Sequence, residues 1–462
     1  MADVAHERKM SDAEGLMWRL EKDPYLSSSF TTLSILDRPP DVARLRARLE
    51  RAAVAIPRLA WRVQPAPVNL TAPSWVDDPD FDIDHHFRHI ALPKPGSMRQ
   101  LLDLTSLISV DPFERTRPLW QFVVIDGLRG GKSALVTKMH HTITDGEGGV
   151  RMSLQYLDFE RDAPDPPPLD PLSVEAAETS DAPSVLSTVR DLVAGSFRIP
   201  VGVVRQVKAL LADPTSIPTA GAAATDTVRG VMSQLADVDR ARSPLWGARS
   251  LRRRAEVAQA PFAETKEAAK RLGGTLNTAF LTAAAAAASR YHVEFGAPVD
   301  ELRASMAIST RTESSGANAF SLARLMVPTG EMPIGDRFRA IQQLADEARD
   351  QDRGGGASLA TLAAVASTLP TSLVTRLARQ QAETVDFATS NVRGAAVPMY
   401  LCGAQLVQNY PLGPLGGVAF NLTLLSYLGR LDVGLNVDRA AVEDPARLAA
   451  LVEQSLQELG AA

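Results

Sequence analysis

Residues 140–146 read His140-His141-Thr142-Ile143-Thr144-Asp145-Gly146. An apolar run, Ala134 to Met139, leads into them and reads as a buried strand. Thr144 to Gly149 is glycine-rich and is not expected to extend that strand, and a second amphipathic element is expected from Val150 to Leu157. The two histidines therefore stand where a strand ends and the backbone turns. Loops on a rigid scaffold are where chemistry is usually placed. An imidazole, with a pKa of about 6.5, can take and return a proton near neutral pH. Asp145 can hold the loop or orient a base, and Gly146 lets the backbone turn tightly. Successive strand residues face opposite sides, so one histidine should face packed side chains and the other a cleft.

Working outward, Leu119 to Ile125 forms a second apolar run, joined to the first by Gly127-Leu128-Arg129-Gly130-Gly131, a hairpin signal. Upstream, Asp41 is a candidate N-cap for a helix over Val42 to Ala55, with Val42, Leu45, Leu49 and Ala52 on one face and Pro57 ending it. Phe81 to Leu92 reads as a strand, Pro93 to Gly96 as a turn, and Gln100 to Ile108 as a helix or an extended arm. Asp162 to Pro183 has linker composition, and Asp213 to Asp226 is a second such stretch. Between them, Val185 to Leu211 alternates apolar residues with Arg190, Arg198, Arg205 and Lys208, the pattern of amphipathic crossover helices or of a basic face resting on anionic lipid.

Beyond Ser243, helices are expected over Thr265 to Leu272, Leu276 to Tyr291, Ile334 to Arg349, Leu359 to Gln380 and from Asp444-Pro445 to Gly460. Strands are expected at Arg303 to Ser309, Ala323 to Val327, Tyr400 to Val407, Gly417 to Leu425 and Leu431 to Val437. The fold class is α/β in both halves, with boundaries at 1–162, 163–242 and 243–462.

Composition narrows the function classes. At 462 residues the chain exceeds one hydrophobic core. A net charge of −5 argues against general nucleic-acid binding. The single cysteine, Cys402, rules out an intrachain disulfide and points to a reducing compartment, the cytoplasm. Met1 to Asp12 lacks the apolar core of a signal peptide, and no run of about 18 apolar residues reads as a membrane span, which leaves peripheral attachment to a membrane or lipid droplet open. Asp82, Asp84, His85, His86 and His89 invite a metal reading. Adjacent histidines on a strand point apart and cannot share one ion, so no metal is expected. Gly146-Glu147-Gly148-Gly149 lacks the Lys-Ser/Thr that a phosphate loop requires.

His140 to Gly146 resembles the H-H-x-x-x-D-G signature of CoA-dependent acyltransferases and condensation domains. Further segments resemble the bacterial wax ester synthase/diacylglycerol acyltransferase family. These are Met10-Ser11-Asp12-Ala13 at the start, Phe81 to His89 with Leu92-Pro93-Lys94-Pro95-Gly96, and Pro118-Leu119-Trp120. Leu272-Gly273-Gly274-Thr275-Leu276-Asn277 and Ser390-Asn391-Val392-Arg393-Gly394 complete the set. The likeness runs over most of the chain, in order. It implies two chloramphenicol-acetyltransferase-like domains, each a mixed sheet flanked by helices, with an active-site tunnel between them.

The resemblance also implies acyl-CoA as co-substrate, no cofactor, and diacylglycerol or a fatty alcohol as acceptor. His141 would be the general base, His140 its support, and Asp145 a structural residue. Asn277 is a candidate oxyanion donor or a helix cap. Pro118, Leu119, Trp120, Ser390 and Asn391 are candidate substrate contacts, with Trp120 also suited to the core. Arg311 could pair with Asp145, and Cys402, in an apolar run, reads as structural. Two positions depart from the family: Thr278 stands where it has Asp, and Arg393 where it has Pro. A carrier-protein-dependent acyltransferase and a catalytically weak lipid-droplet binder are the alternatives.

Overall fold

The computed structural model describes residues 8–65, 72–144, 146–166, 241–309, 320–353 and 371–462. In the first half lie α1 (Asp12–Leu20), β1 (Ser29–Leu36), α2 (Val42–Ala55), β2 (Trp61–Gln64), β3 (Ser74–Asp77) and α3 (Ile83–His86). They are followed by β4 (Phe87–Ala91), α4 (Met98–Val110), β5 (Trp120–Leu128), β6 (Lys132–His140) and α5 (Gly146–Ser153). Beyond residue 241 come β7 (Arg253–Pro261), α6 (Phe262–Arg271), α7 (Leu276–Glu294), β8 (Glu301–Ser309), β9 (Phe320–Pro328), α8 (Ile334–Arg353) and α9 (Thr371–Ala382). The chain ends with β10 (Phe387–Arg393), β11 (Tyr400–Leu401), β12 (Ala404–Leu412), β13 (Phe420–Tyr427), β14 (Arg430–Asp438) and α10 (Pro445–Ala461). The elements expected between 167 and 240, Arg311 and Asp145 lie outside the described residues, as does the start of the helix expected from Leu359.

Local chemistry accounts for the helix starts. The Asp41 side chain accepts from the Arg44 amide at 3.0 Å and opens α2, whose Leu45, Leu49 and Ala52 are buried. Ser97 and Gln100 form a reciprocal capping box, and 98–110 is a helix, not an extended arm. In α7 the alanines at 283–288 are buried on every side, and their small side chains let the helix pack closely against α8 and α10.

Two expectations are corrected. Phe81 to Leu92 is not one strand: Asp82 accepts from the Asp84 amide, turning 83–86 into α3, and the strand begins only at Phe87. The three histidines then part company. His85 Nε2 lies 3.7 Å from Glu114, His89 Nε2 lies 2.7 Å from Asp126, and His86 is buried between Phe81 and Trp120. The second amphipathic element starts at Gly146 rather than Val150. Its glycines fall in the first turn, where helix propensity counts least because that turn's amides lack intrahelical partners.

Two six-stranded mixed sheets carry the molecule, in the orders β11-β12-β1-β6-β5-β4 and β7-β14-β13-β10-β8-β9. The second half of the chain supplies strands to both. β12 pairs antiparallel with β1, setting Thr31 opposite Leu412 and Ser34 opposite Asn409. That loan stitches the sheets together. Asp432 on β14, fully buried, accepts from the Asn409 amide at 2.8 Å and from Gln259 at 2.6 Å. Gly434 lies so close to β12 that a Cβ there would sit 1.9 Å from the Pro411 carbonyl oxygen. On the other flank α4 packs on β7, with Ser106 Oγ accepting from the Ala255 amide and Arg99 paired to Glu256. Among the described residues no helix is long and apolar enough to cross a membrane.

Gly434→Ala should cost about 1–3 kcal/mol or more, because backbone must move to admit the methyl. Gly247→Ala, where a Cβ meets nothing within 4 Å, serves as the control. Denaturant unfolding reads the difference, and equal midpoints would contradict the close approach of β14 to β12. His86 supplies a pH test. Burial pushes its imidazole down to about 4, against the opposing bond to the Trp120 carbonyl. The unfolded chain takes that proton below about pH 6.5 while the folded one refuses it until about 4, so stability is full above 6.5 and falls across this window. Between pH 7 and 4.5 His86→Phe should therefore lose about 2–3 kcal/mol less than the parent. Identical losses would contradict it.

Candidate active site

β6 delivers the two histidines to a turn fixed from both sides. The His140 amide donates to the Leu119 carbonyl at 3.0 Å, and the His141 amide to the Ser28 carbonyl at 3.1 Å. The Ile143 amide closes the turn on the His140 carbonyl at 2.9 Å. The Thr142 carbonyl accepts from Arg58, which is itself paired with Glu14 at 2.5 Å. The turn therefore has little freedom before any ligand arrives.

His140 is fully buried, and its tautomer follows from its neighbours. Nδ1 accepts from the Thr142 amide at 3.2 Å and lies 2.7 Å from Thr142 Oγ1. An acceptor at Nδ1 leaves the proton on Nε2, which donates to Glu21 Oε2 at 3.1 Å. Glu21 also accepts from Ser27 Oγ at 2.7 Å, the Ser28 amide at 2.8 Å and Ser29 Oγ at 3.3 Å. Burial pushes the Glu21 carboxyl up, but the bonds from His140, Ser27 and Ser28 outweigh it and hold the group below the usual carboxylate range. Glu21 thus stays ionised and keeps His140 oriented. His141 has a different setting: it is half-buried, its ring 4.7 Å from that of Phe30. Of the expected split, one histidine packed and the other facing a cleft, the packed side is His140, fully buried. Lys138, two residues earlier, is also buried. Its amine is pushed down to about 8, donates to the Asp111 carbonyl and lies 4.5 Å from the Phe113 ring centroid.

The other candidate residues divide into two groups. α5, which follows the histidine loop, packs against β10. From β10, the Asn391 side chain donates to Asn277 Oδ1 in the first turn of α7. Gly146, Asn277, Ser390 and Asn391 thus lie on elements that converge on one strand. Asn277 is not the cap of α7; Thr275 holds that place, accepting from the Thr278 amide. Thr278 is fully buried and donates to Gln342 Oε1 at 2.6 Å, so a neutral hydroxyl occupies the position where the family carries Asp.

Pro118, Leu119 and Trp120 form the second group. Trp120 is buried, donates from Nε1 to the Leu59 carbonyl at 2.7 Å and stacks on His86. Leu119 is buried too, and its carbonyl is the anchor for His140. The tripeptide frames the histidine strand from within the core. Cys402 sits not in a strand but at φ 46° in the turn between β11 and β12. Burial pushes its thiol up to about 11, which removes it as a nucleophile at neutral pH. Glu21 and Lys138 were not singled out by the sequence; no spacing ties Glu21 to a histidine 119 residues away.

Glu21→Leu should leave the buried His140 N–H without an acceptor and cost about 1–3 kcal/mol, whereas Glu21→Gln, which retains an acceptor, should cost less. Nitrogen-15 shifts of His140 should show a protonated Nε2 and a bare Nδ1. The opposite tautomer, or equal stability for the two variants, would contradict this arrangement.

Residues 10–280 match the wax ester synthase/diacylglycerol acyltransferase catalytic domain, and residues 316–460 match the C-terminal domain of the same family. A Mycobacterium tuberculosis protein named as a diacylglycerol O-acyltransferase is 32% identical over 479 residues, spanning 99% of this chain and 94% of its own. Another from that organism is 28% identical over 466 residues, spanning 96% and 94%. The wax ester synthase/diacylglycerol acyltransferase from Marinobacter aquaeolei VT8 superposes with a TM-score of 0.66 at 24% identity over 98% of both chains. The first condensation domain of the calcium-dependent antibiotic synthetase does so with a TM-score of 0.58 at 15% identity, over 99% of this chain and 96% of its own. These two structural likenesses speak to the shared fold of paired mixed sheets; the sequence matches reach further, and by them the chain belongs to the wax ester synthase/diacylglycerol acyltransferase family.

Proposed function

We propose that this acyltransferase moves a long-chain acyl group from acyl-CoA to a lipid hydroxyl, with diacylglycerol or a fatty alcohol as acceptor and His141 as general base. The observation that carries the reading is the turn itself. His141 follows directly on a buried histidine whose tautomer and orientation Glu21 fixes, and the next helix packs on the strand that bears Asn391. A base in a preset position is what proton transfer to and from an oxygen needs.

The chemistry balances without a covalent enzyme intermediate. His141 takes the hydroxyl proton as the acceptor oxygen bonds to the thioester carbonyl carbon. The carbonyl oxygen becomes an oxyanion. Because Asn277 Oδ1 is engaged by Asn391, the Asn277 N–H groups are the ones left to donate, which suits it to that oxyanion. The carbon–sulfur bond then breaks, and the His141 imidazolium returns the proton to the CoA thiolate. Asp145 is assigned a structural role in the loop. Acyl-CoA is consumed as co-substrate, and the reaction as written calls on no cofactor. An apolar passage between the two halves would keep water from the thioester.

Acceptors of this class dissolve in membranes and lipid droplets. Exposed Leu154, Phe159 and Val397 lie on segments joined by the Asp158–Tyr400 pairing, and such apolar side chains suit contact with a lipid surface. Thr278, a neutral residue at the family's Asp position, is the observation that favours the second reading, a relative with weak turnover that binds droplets.

His141→Ala, assayed with long-chain acyl-CoA and either acceptor, should lose about 10²- to 10⁴-fold in kcat/KM while its circular dichroism and melting stay close to the parent. Undiminished ester formation by folded variant would remove the base assignment. Analysis of the lipid products with both acceptors supplied separates wax ester from triacylglycerol synthesis, and droplet binding without any transfer by the parent would favour the second reading.

A further inference from the structure

A groove of about 350 Å³ opens beside α1, between Trp18, Arg19, Lys22, Arg62, Arg115 and Thr116 on one side and Thr371 at the start of α9 on the other. Every charged side chain that lines it is a cation. Most arginines elsewhere in the described residues of the first half, Arg44, Arg46, Arg48, Arg58, Arg99, Arg117 and Arg161 among them, meet a carboxylate. In the groove, by contrast, Arg115 lies over the Trp18 ring at 3.4 Å and donates to the Trp18 carbonyl. Its Nη1 is buried with no hydrogen-bond partner, and so is Nε of Arg62. Burial lowers the Arg115 pKa and outweighs the opposing charge of Glu21, the mark of a guanidinium held partly out of water. Buried donors left unmade are costly, and cations gathered in a concave site favour an anionic ligand.

The groove also sits next to the candidate chemistry. Lys22 directly follows Glu21, the residue that holds His140, and Trp18 is on the same helix one turn earlier. The reaction proposed above has one multiply charged participant, the acyl donor, whose nucleotide end carries phosphate groups. The acceptor alcohol is neutral.

We propose that this groove, through Arg62, Arg115 and Lys22, binds the phosphate groups of the acyl-CoA donor and so sets which side of the histidine turn the thioester approaches from. The assignment rests on the acyl-transfer reading. Phosphate is also the chemistry of anionic lipid headgroups, and the test separates the two sources. Arginine matches phosphate geometry with paired N–H groups, whereas glutamine of similar length carries no charge.

The experiment compares the parent with Arg62→Gln, Lys22→Gln and Arg62→Lys, using acyl-CoA and the matching acyl-pantetheine, which has the thioester but no phosphate. The ratio of kcat/KM for the two donors should be well above one in the parent and fall about 10-fold in Arg62→Gln, through KM rather than kcat, with partial recovery in Arg62→Lys. Titration of CoA alone should weaken in parallel. Vesicles containing phosphatidylglycerol form the second arm. An unchanged donor ratio in folded Arg62→Gln and Lys22→Gln overturns the proposal, and if vesicle binding weakens instead, the groove takes lipid headgroups. A parent that neither binds CoA nor transfers acyl groups defeats the acyl-transfer reading itself, an outcome distinct from a parent that transfers with no sensitivity to these cations.

Discussion

One buried ion-supported hydrogen bond sets the geometry on which the candidate site depends: His140 Nε2–H to Glu21, at 3.1 Å. Glu21 stands just past the end of α1 and His140 ends β6, so the bond ties the first helix to the strand that carries the histidines. A carboxylate with this little solvent contact is tolerable only because Ser27, Ser28 and Ser29 supply further donors. The same three residues lead into β1, whose Ser29 lies opposite His140 in the sheet. Strand register, helix end and imidazole tautomer are therefore one constraint. His141, the next residue, inherits its position from it.

The second sheet reaches that turn through sharing rather than mere contact. β11 and β12 complete the first sheet although the strands before and after them, β10 and β13, belong to the second, and Asp432 and Gly434 hold β14 against β12. β10 then stands between α5 of the first half and α7 of the second, which brings Asn391 to Asn277. An interface made this way joins the two halves through shared strands, and the proposed base and oxyanion donor rely on that link to keep their spacing. Thr278 belongs to the same frame. Its hydroxyl, bonded to Gln342, secures the first turn of α7 behind Asn277 without charge.

Much of this was legible in the chain, where local chemistry decides. The Asp41 cap, the hairpin glycines, the strand running into His140, the alanine helix and the Asp444-Pro445 start all act within a few residues, and all appear as read. The histidine motif was legible because strand, histidines and glycine are contiguous. What escaped depends on partners far away in sequence. β1, Ser29–Leu36, mixes serines and threonines with apolar residues and becomes a central strand only because β6 and β12 flank it. β7 and β10 were missed for the same reason. Tyr400 to Val407 looked like one strand, yet Cys402 and Gly403 adopt positive φ and split it, and nothing local reveals that β12 crosses to the other sheet. Glu21 is an ordinary surface-type residue in sequence; its role exists only once α1 lies beside the end of β6.

The most direct measurement is a crystal structure of the protein with a non-reactive acyl-CoA analogue and an acceptor alcohol. The account predicts the acceptor oxygen within about 2.6–3.2 Å of a His141 ring nitrogen and beside the thioester carbonyl carbon. A thioester bound well away from that imidazole, with His141 enclosed by packed side chains in the complex, would contradict it.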